Sequence, residues 1–204
     1  MPRERIGVFG GTFDPVHVGH LVAAVEARRA LELDRVLMVV AGDPWQKRGN
    51  VTASAADRLA MVHAAVVDVE GVEPCDLEIR RPGPTYTADT LEALAQKGRS
   101  LFLVVGADVA ATLHTWTGVE RIPALASLAI VDRAGVPAAP DPAGPGWRVE
   151  RLSIPRLEIS STELRARASR GWPLDGLVPP AAIRILRERS LYRWLKGEGG
   201  NDRN

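Results

Sequence analysis

This sequence predicts an α/β fold in which a parallel sheet carries helices on both faces, and three observations support it. Continuous apolar, β-prone runs recur, as in 35–41 (RVLMVVA, apolar after Arg35) and 101–105 (LFLVV). Strands that are apolar at every position are buried on both sides, as in parallel sheets. Helix-period segments alternate with these runs, the pattern of right-handed βαβ units. No repeat or linker divides the 204 residues, so a single domain over 1–196 is expected, with 197–204 (GEGGNDRN) as a disordered tail.

The elements follow in order. Ile6–Phe9 is a short apolar run stopped by Gly10 and Gly11, a buried strand ending in a turn. Between 19 and 33, Leu21, Val22, Val25 and Leu31 recur at helical spacing. The second strand, 35–41, leads into a loop over 42–53. A helix is predicted over 54–69, with Ser54 as N-cap and Asp57 completing a weak capping box. A strand is expected over 72–79, a Pro/Gly turn over 80–84 and a short amphipathic helix over 87–96. Strands follow at 101–105 and 128–131, and 134–146 (AGVPAAPDPAGPG) reads as loop. Residues 149–159 read as extended, and 161–169 and 180–189 as helices, the last with proline in its first turn. The sum is a Rossmann-like parallel sheet with a small C-terminal helical segment, about 160–196. Ligands of such sheets sit beyond the carboxyl ends of the strands. The turns after Phe9, Ala41, Val105 and Ile159 are therefore where a site is expected.

Composition narrows the function classes. Apolar residues are 46% and charged residues 25%, which excludes extensive disorder, collagen and coiled coil. No apolar run approaches the roughly 18 residues that span a bilayer. The start, MPRERIGVFGG, lacks an apolar signal region, so a cytoplasmic location and no membrane partner are expected. The lone Cys75 forms neither an internal disulfide nor a multi-cysteine zinc site. A net charge of +1, from 26 basic and 25 acidic residues, argues against a nucleic acid polymer as partner. The charge is uneven: 1–146 holds 14 basic against 18 acidic residues, and 147–196 holds 11 against 5. That local excess suits a small polyphosphate, although a solvated basic helix face would give the same count.

Two motifs carry chemistry. The first strand runs into GGTFDPVHVGH, residues 10–20. Its glycines let backbone N–H groups approach a ligand, and the free N–H groups of the following helix favour an anion. His17 and His20, three apart, share a face of the opening turn, where two imidazoles can stabilise charge developing on phosphate. A glycine turn or an HxxH pair alone would mean little, and no third metal ligand stands at a recognised spacing. The second motif is ISSTELR, residues 159–165, which places hydroxyls at a helix N-terminus and Arg165 one turn on. SST alone would be ordinary N-capping.

Together these strings resemble the two motifs of the HxGH nucleotidyltransferase superfamily, GGTFDPVHVGH matching the first and ISSTELR matching ISSTxIR with Leu164 for isoleucine. The resemblance implies that His17, His20 and Arg165 contact the triphosphate of ATP. It gives Gly10, Gly11, Thr12, Phe13 and Gly19, then Ser161 and Thr162, as further ATP contacts. In the middle of the chain, TYTADTL (85–91) and GADVAATLHTW (106–116) are similar to bacterial nicotinate mononucleotide adenylyltransferases. That implies donors to the nicotinate carboxylate from Thr85, Tyr86 and Thr87, stacking on Trp116 and a ribose contact at Asp108, with Gly106 and Asp108 counted among the ATP contacts. Arg133 is a further candidate on the nicotinate side. The similarity covers about residues 6–192, including GWPLDGLVPPAAIRILRERSLY.

One departure stands out. The family commonly ends the loop after strand two in His-Lys, whereas this chain has GDPWQKRG. Gln46 replaces the histidine, while Lys47 remains as a catalytic candidate and Trp45 has no assigned role. The implied reaction is adenylyl transfer from ATP to nicotinate mononucleotide, with Mg²⁺ arriving on the triphosphate rather than in a protein metal site. Phosphopantetheine adenylyltransferase is the enzymatic alternative, disfavoured by the TYTADTL and Trp116 segments and by the chain's length. A catalytically silent nucleotide-binding sensor is the other. Self-association into a homo-oligomer is left open.

Overall fold

The computed structural model describes residues 3–43, 52–133, 141–142, 144–155 and 157–192. The expected tail and the loop bearing Trp45, Gln46 and Lys47 lie outside them. Six strands form one sheet: β1 (Glu4–Gly11), β2 (Arg35–Val40), β3 (Val72–Cys75), β4 (Arg99–Gly106), β5 (Ala126–Arg133) and β6 (Val149–Ile154). All pair in parallel, in the order β3-β2-β1-β4-β5-β6. Strand order reverses between β1 and β4, so their connections leave on opposite faces and open a crevice at their carboxyl ends.

Eight α-helices are present among the described residues: α1 (Val18–Ala30), α2 (Ala55–Val66), α3 (Leu77–Arg80), α4 (Thr87–Leu94), α5 (Ala107–Ala110), α6 (Ile122–Leu125), α7 (Ser161–Ser169) and α8 (Pro180–Glu188). The apolar runs divide by alternation, as a pleated strand requires. Val36, Met38 and Val40 pack with Ala24 and Ala27 of α1, Met61 and Val62 of α2, and Ile183 of α8. Leu37 and Val39 point the other way, with Leu91 of α4, Ala110 of α5 and Ile122 of α6. Two apolar layers therefore sandwich the sheet, as the unbroken runs predict.

The ends of several elements differ from the sequence reading. The segment expected as strand over 72–79 is strand only to Cys75, and Leu77–Arg80 is a single helical turn. Its backbone runs hard against the chain leaving β2, where a Cβ on Gly42 would stand 2.5 Å from the Glu78 carbonyl oxygen. The extended segment predicted to 159 is strand only to Ile154. Helix α1 begins at Val18, one residue before the predicted start, because His17 is its N-cap. Ser54 caps α2 as expected, its Oγ accepting the Asp57 N–H at 3.1 Å.

Leu128, at the centre of the layer that holds α4 to α6, is fully buried. Leu128→Ala should cost roughly 2–5 kcal/mol in a urea unfolding series. A loss under 1 kcal/mol would mean that this layer is not packed as described.

Candidate active site

Two cavities meet at the carboxyl ends of β1 and β4. The larger, about 650 Å³, lies between the loop after β1, the start of α1 and the start of α7. The smaller, about 200 Å³, runs under the start of α4. Both are walled by Phe9, Gly10, Gly11, Thr12, Gly106 and Val109. The first motif is thus a partition with one ligand space on either side.

On the larger side the turn is closed tightly. A Cβ on Gly11 would meet the Phe13 ring at 2.8 Å, so glycine is what admits that ring. Phe13 is buried and has φ +51°, a left-handed conformation that is uncommon for an aromatic residue. Its ring meets His20 edge-on at 5.0 Å between centroids. The imidazoles of His17 and His20 stack at 3.6 Å between centroids. The His17 backbone N–H donates to His20 Nδ1 at 3.2 Å. An Nδ1 that accepts a hydrogen bond leaves the proton of neutral His20 on Nε2, as a donor. Both histidines line the larger cavity, with Gly19.

The second motif docks directly on the first. Ser161 Oγ donates to the Pro15 carbonyl at 3.0 Å. Arg165 Nη1 donates to the Asp14 carbonyl at 2.7 Å and stands 3.8 Å from the Asp14 carboxylate. Its other terminal nitrogen donates to Thr162 Oγ1 at 3.3 Å. Ser160 is the cap, accepting the Glu163 N–H at 3.2 Å. Ordinary capping thus belongs to Ser160, which leaves Ser161, Thr162 and Arg165 lining the same cavity as the histidines. Asp108 also lines it, in the first turn of α5, whose N-cap is Gly106 rather than the aspartate.

On the smaller side, Thr85, Tyr86 and Thr87 line the cavity at the start of α4, which Tyr86 caps. Thr85 Oγ1 donates to the Asp43 carbonyl at 3.2 Å, tying this turn to the chain leaving β2. Trp116 forms part of the wall, and its indole Nε1 is buried with no hydrogen-bond partner among the described residues. A packing tryptophan normally satisfies that donor, so the orphan N–H suits a ligand acceptor. Arg133 closes β5 at the same edge of the sheet, and its side chain is outside the described residues. Lys47 is outside them altogether. Of the other sequence-predicted residues, Phe13, His17, Gly19, His20, Asp108, Ser161, Thr162 and Arg165 line the larger cavity, Thr85, Tyr86, Thr87 and Trp116 the smaller, and Gly10, Gly11, Thr12 and Gly106 line both.

Three residues were missed as site-builders: Arg58, Asp14 and Glu78. Arg58 is fully buried and donates to the carbonyls of Thr12 at 2.8 Å, Ala41 at 2.7 Å and Ala53 at 3.3 Å. Burial lowers the proton affinity of its guanidinium, while the negative charge of Asp14 raises it. The signal was in the sequence: Arg58, Met61, Val62 and Ala65 form one helical stripe, and an arginine in an apolar stripe is a buried cation with partners. Asp14, within the first motif, is buried and accepts from Thr52 N–H (2.8 Å), Ala53 N–H (3.1 Å) and Tyr192 Oη (2.6 Å). No pattern in the sequence joins Asp14 to Tyr192. Glu78, within the mistaken strand, lines the smaller cavity and accepts from Thr90 Oγ1 at 2.7 Å. Its burial pushes the carboxyl above the usual range, opposed by the hydrogen bonds of Thr90 and Thr85 and by Arg81. Among the described residues, no cluster of three or more His, Cys, Asp or Glu side chains is placed to hold a metal ion.

Residues 8–167 match the cytidylyltransferase-like family model. A "Probable nicotinate-nucleotide adenylyltransferase" of Roseiflexus sp. (strain RS-1) is 43% identical over 95% of this chain and 100% of its own. One of the same name from Acidothermus cellulolyticus is 41% identical over 96% of this chain and 97% of its own. Among solved structures, a Plasmodium falciparum nicotinic acid mononucleotide adenylyltransferase complexed with APC superposes with a TM-score of 0.73. That match covers 93% of this chain and 97% of the other at 17% identity, a likeness of fold.

Two outcomes test the supports of the site. Arg58→Met leaves three buried carbonyls short of a donor and should cost roughly 3 kcal/mol or more in denaturant unfolding. Glu78 holds its proton more tightly folded than unfolded, so its contribution to stability falls as pH rises above the ordinary value near 4.5. Glu78→Gln should therefore raise the thermal midpoint relative to the parent at pH 7 and lose that advantage at pH 4. An equal difference at both pH values would show that Glu78 does not titrate across that window.

Proposed function

The chain belongs to the cytidylyltransferase-like family, and on that premise we propose that it transfers the adenylyl group of ATP to nicotinate mononucleotide. The products are nicotinate adenine dinucleotide and pyrophosphate, a step of NAD biosynthesis. The observation that carries this reading is the pair of cavities divided by Gly10–Thr12. One has paired histidines facing a helix N-terminus with its arginine, and the larger volume is within the range of nucleotide sites. The other joins threonine and tyrosine groups at a helix start to an indole with an unspent N–H, the equipment for a flat aromatic acid.

The reaction is a direct displacement. A phosphate oxygen of nicotinate mononucleotide attacks the α-phosphorus of ATP. The bond from that phosphorus to the bridging oxygen breaks, and its electrons leave with pyrophosphate. The nucleophile is already an anion near neutral pH, since a phosphate monoester loses its second proton near pH 6. No strong general base or covalent intermediate is required. The protein's task is positioning and charge stabilisation. His17, His20 and Arg165 take that task from the two sides of the larger cavity, with Lys47 from the loop after β2. Mg²⁺ entering with the triphosphate would neutralise part of its charge, beside the imidazoles of His17 and His20 and the guanidinium of Arg165. Both sites belong to one unit over 1–196, and the reaction is placed in the cytoplasm. Among the described residues no helix is long and apolar enough to cross a membrane.

Purified protein with ATP, Mg²⁺ and nicotinate mononucleotide should release pyrophosphate and form the dinucleotide in equal amounts. Turnover with phosphopantetheine but not with nicotinate mononucleotide would overturn the acceptor. ATP binding with no turnover on any acceptor would overturn the enzyme assignment. His20→Ala should lower kcat by roughly 10²–10³-fold while leaving the circular dichroism spectrum unchanged; wild-type turnover would remove the histidine from the reaction.

A further inference from the structure

We propose that Tyr192 is a positioning residue for adenylyl transfer, acting through Asp14 on both the histidine pair and Arg165. The inference rests on the adenylyl-transfer reading above. Asp14 stands where several segments converge. Its carboxylate is buried and accepts the Tyr192 hydroxyl at 2.6 Å, with Thr52 N–H at 2.8 Å and Ala53 N–H at 3.1 Å completing its shell. Its carbonyl accepts Arg165 Nη1 at 2.7 Å. Three residues on is His17, whose ring stacks on His20. A shift of Asp14 therefore moves the arginine and the histidine pair together, and the Tyr192 hydroxyl makes the shortest of the bonds that hold the carboxylate.

The chain end is built to deliver that hydroxyl. Arg189 donates to Asp57 at 2.7 Å, pinning the end of α8 to the start of α2. The Leu191 N–H then returns to the Leu186 carbonyl at 2.9 Å, and Tyr192 follows with φ +60°. A left-handed tyrosine persists only where its surroundings fix it. Phe13, on the other side of the contact, is also left-handed at φ +51°. Burial, and then the hydrogen bond to Asp14, push the phenol proton well above its usual range, so the group remains a donor at any working pH. Asp14 and Tyr192 are 178 positions apart, so this coupling joins the first motif to the last described residue of the chain.

The test is Tyr192→Phe in the full chain, which keeps the ring and removes only the hydroxyl. The variant should fold, with kcat reduced at least about tenfold and KM for ATP raised. KM for nicotinate mononucleotide should stay within about twofold, because the Thr85–Thr87 turn is untouched. The ring-current-shifted imidazole resonances of His17 and His20 should move in ¹H–¹³C spectra. Folded Tyr192→Phe with kinetic constants and imidazole resonances like those of the parent would overturn the proposal. So would a kcat that falls only in proportion to the folded fraction, the mark of a merely structural role. If Tyr192→Phe does not fold, Asp14→Asn takes its place, keeping an oxygen for the hydroxyl but without its charge. It also sets an amide N–H against the Thr52 N–H and removes the charge beside Arg58, so it should show the same split at least as strongly, and unchanged constants and resonances would again overturn the proposal. If the parent makes no dinucleotide, the proposed function fails by itself. The resonances, together with calorimetric affinity for α,β-methylene ATP, then decide the role of Tyr192 separately.

Discussion

The guanidinium of Arg58 is a fixed positive charge inside the fold, and the loops that build the site are arranged around it. The carbonyls of Thr12 and Ala41, just beyond β1 and β2, both point at it, with Ala53 at the entry to α2. Backbone oxygens leaving adjacent parallel strands would otherwise lack partners once buried, at a cost of about 1–3 kcal/mol each. One rigid fork satisfies them together, which a lysine on a flexible stem would not do as well. Beside it, Asp14 gathers backbone N–H groups and a phenol. Carbonyls converge on the cation and donors on the anion, so the loops cannot drift without stranding a buried charge.

That constraint explains why the phosphate-side residues are held so closely. The stacked histidines, the edge-on phenylalanine and the glycine that admits it occupy one turn. The helix bearing ISSTELR then closes the cavity by bonding to that same turn at Pro15 and Asp14. Catalysis by positioning asks for rigidity of this kind, because the reacting groups must meet within a narrow range of distance and direction. The acceptor side is lined differently. Apolar strand ends, a helix start and an indole surround a smaller space, into which one buried carboxyl also faces. Gly10, Gly11 and Thr12 form part of the wall of both spaces.

Several parts of this architecture were readable in the chain. Runs such as LFLVV mark strands buried on both faces because nothing polar has to reach water. Ser54 before Asp57 marks the start of α2, since capping is a local hydrogen bond. The motifs were readable because glycine spacing and histidine spacing are short-range geometry. The misreadings have a common cause. Residues 72–79 have the composition of a strand, yet Glu78 is drawn inward by Thr90 and the backbone is crowded by Gly42, both brought there by other elements. An isolated propensity cannot register such a neighbour.

Sequence by itself determined the class of fold, the strand ends at which a site could form, and the two motifs that flank it, because each depends on local periodicity and spacing. Only the tertiary structure decided that the two motifs dock on each other and line one cavity, and that Thr85, Tyr86, Thr87 and Trp116 line a second. It alone joined Asp14 to Tyr192 and brought Arg58 under the site. Those are contacts between residues 46 to 178 positions apart. They exist because a buried charge must find partners wherever the chain happens to bring them, and no short-range pattern records where that is.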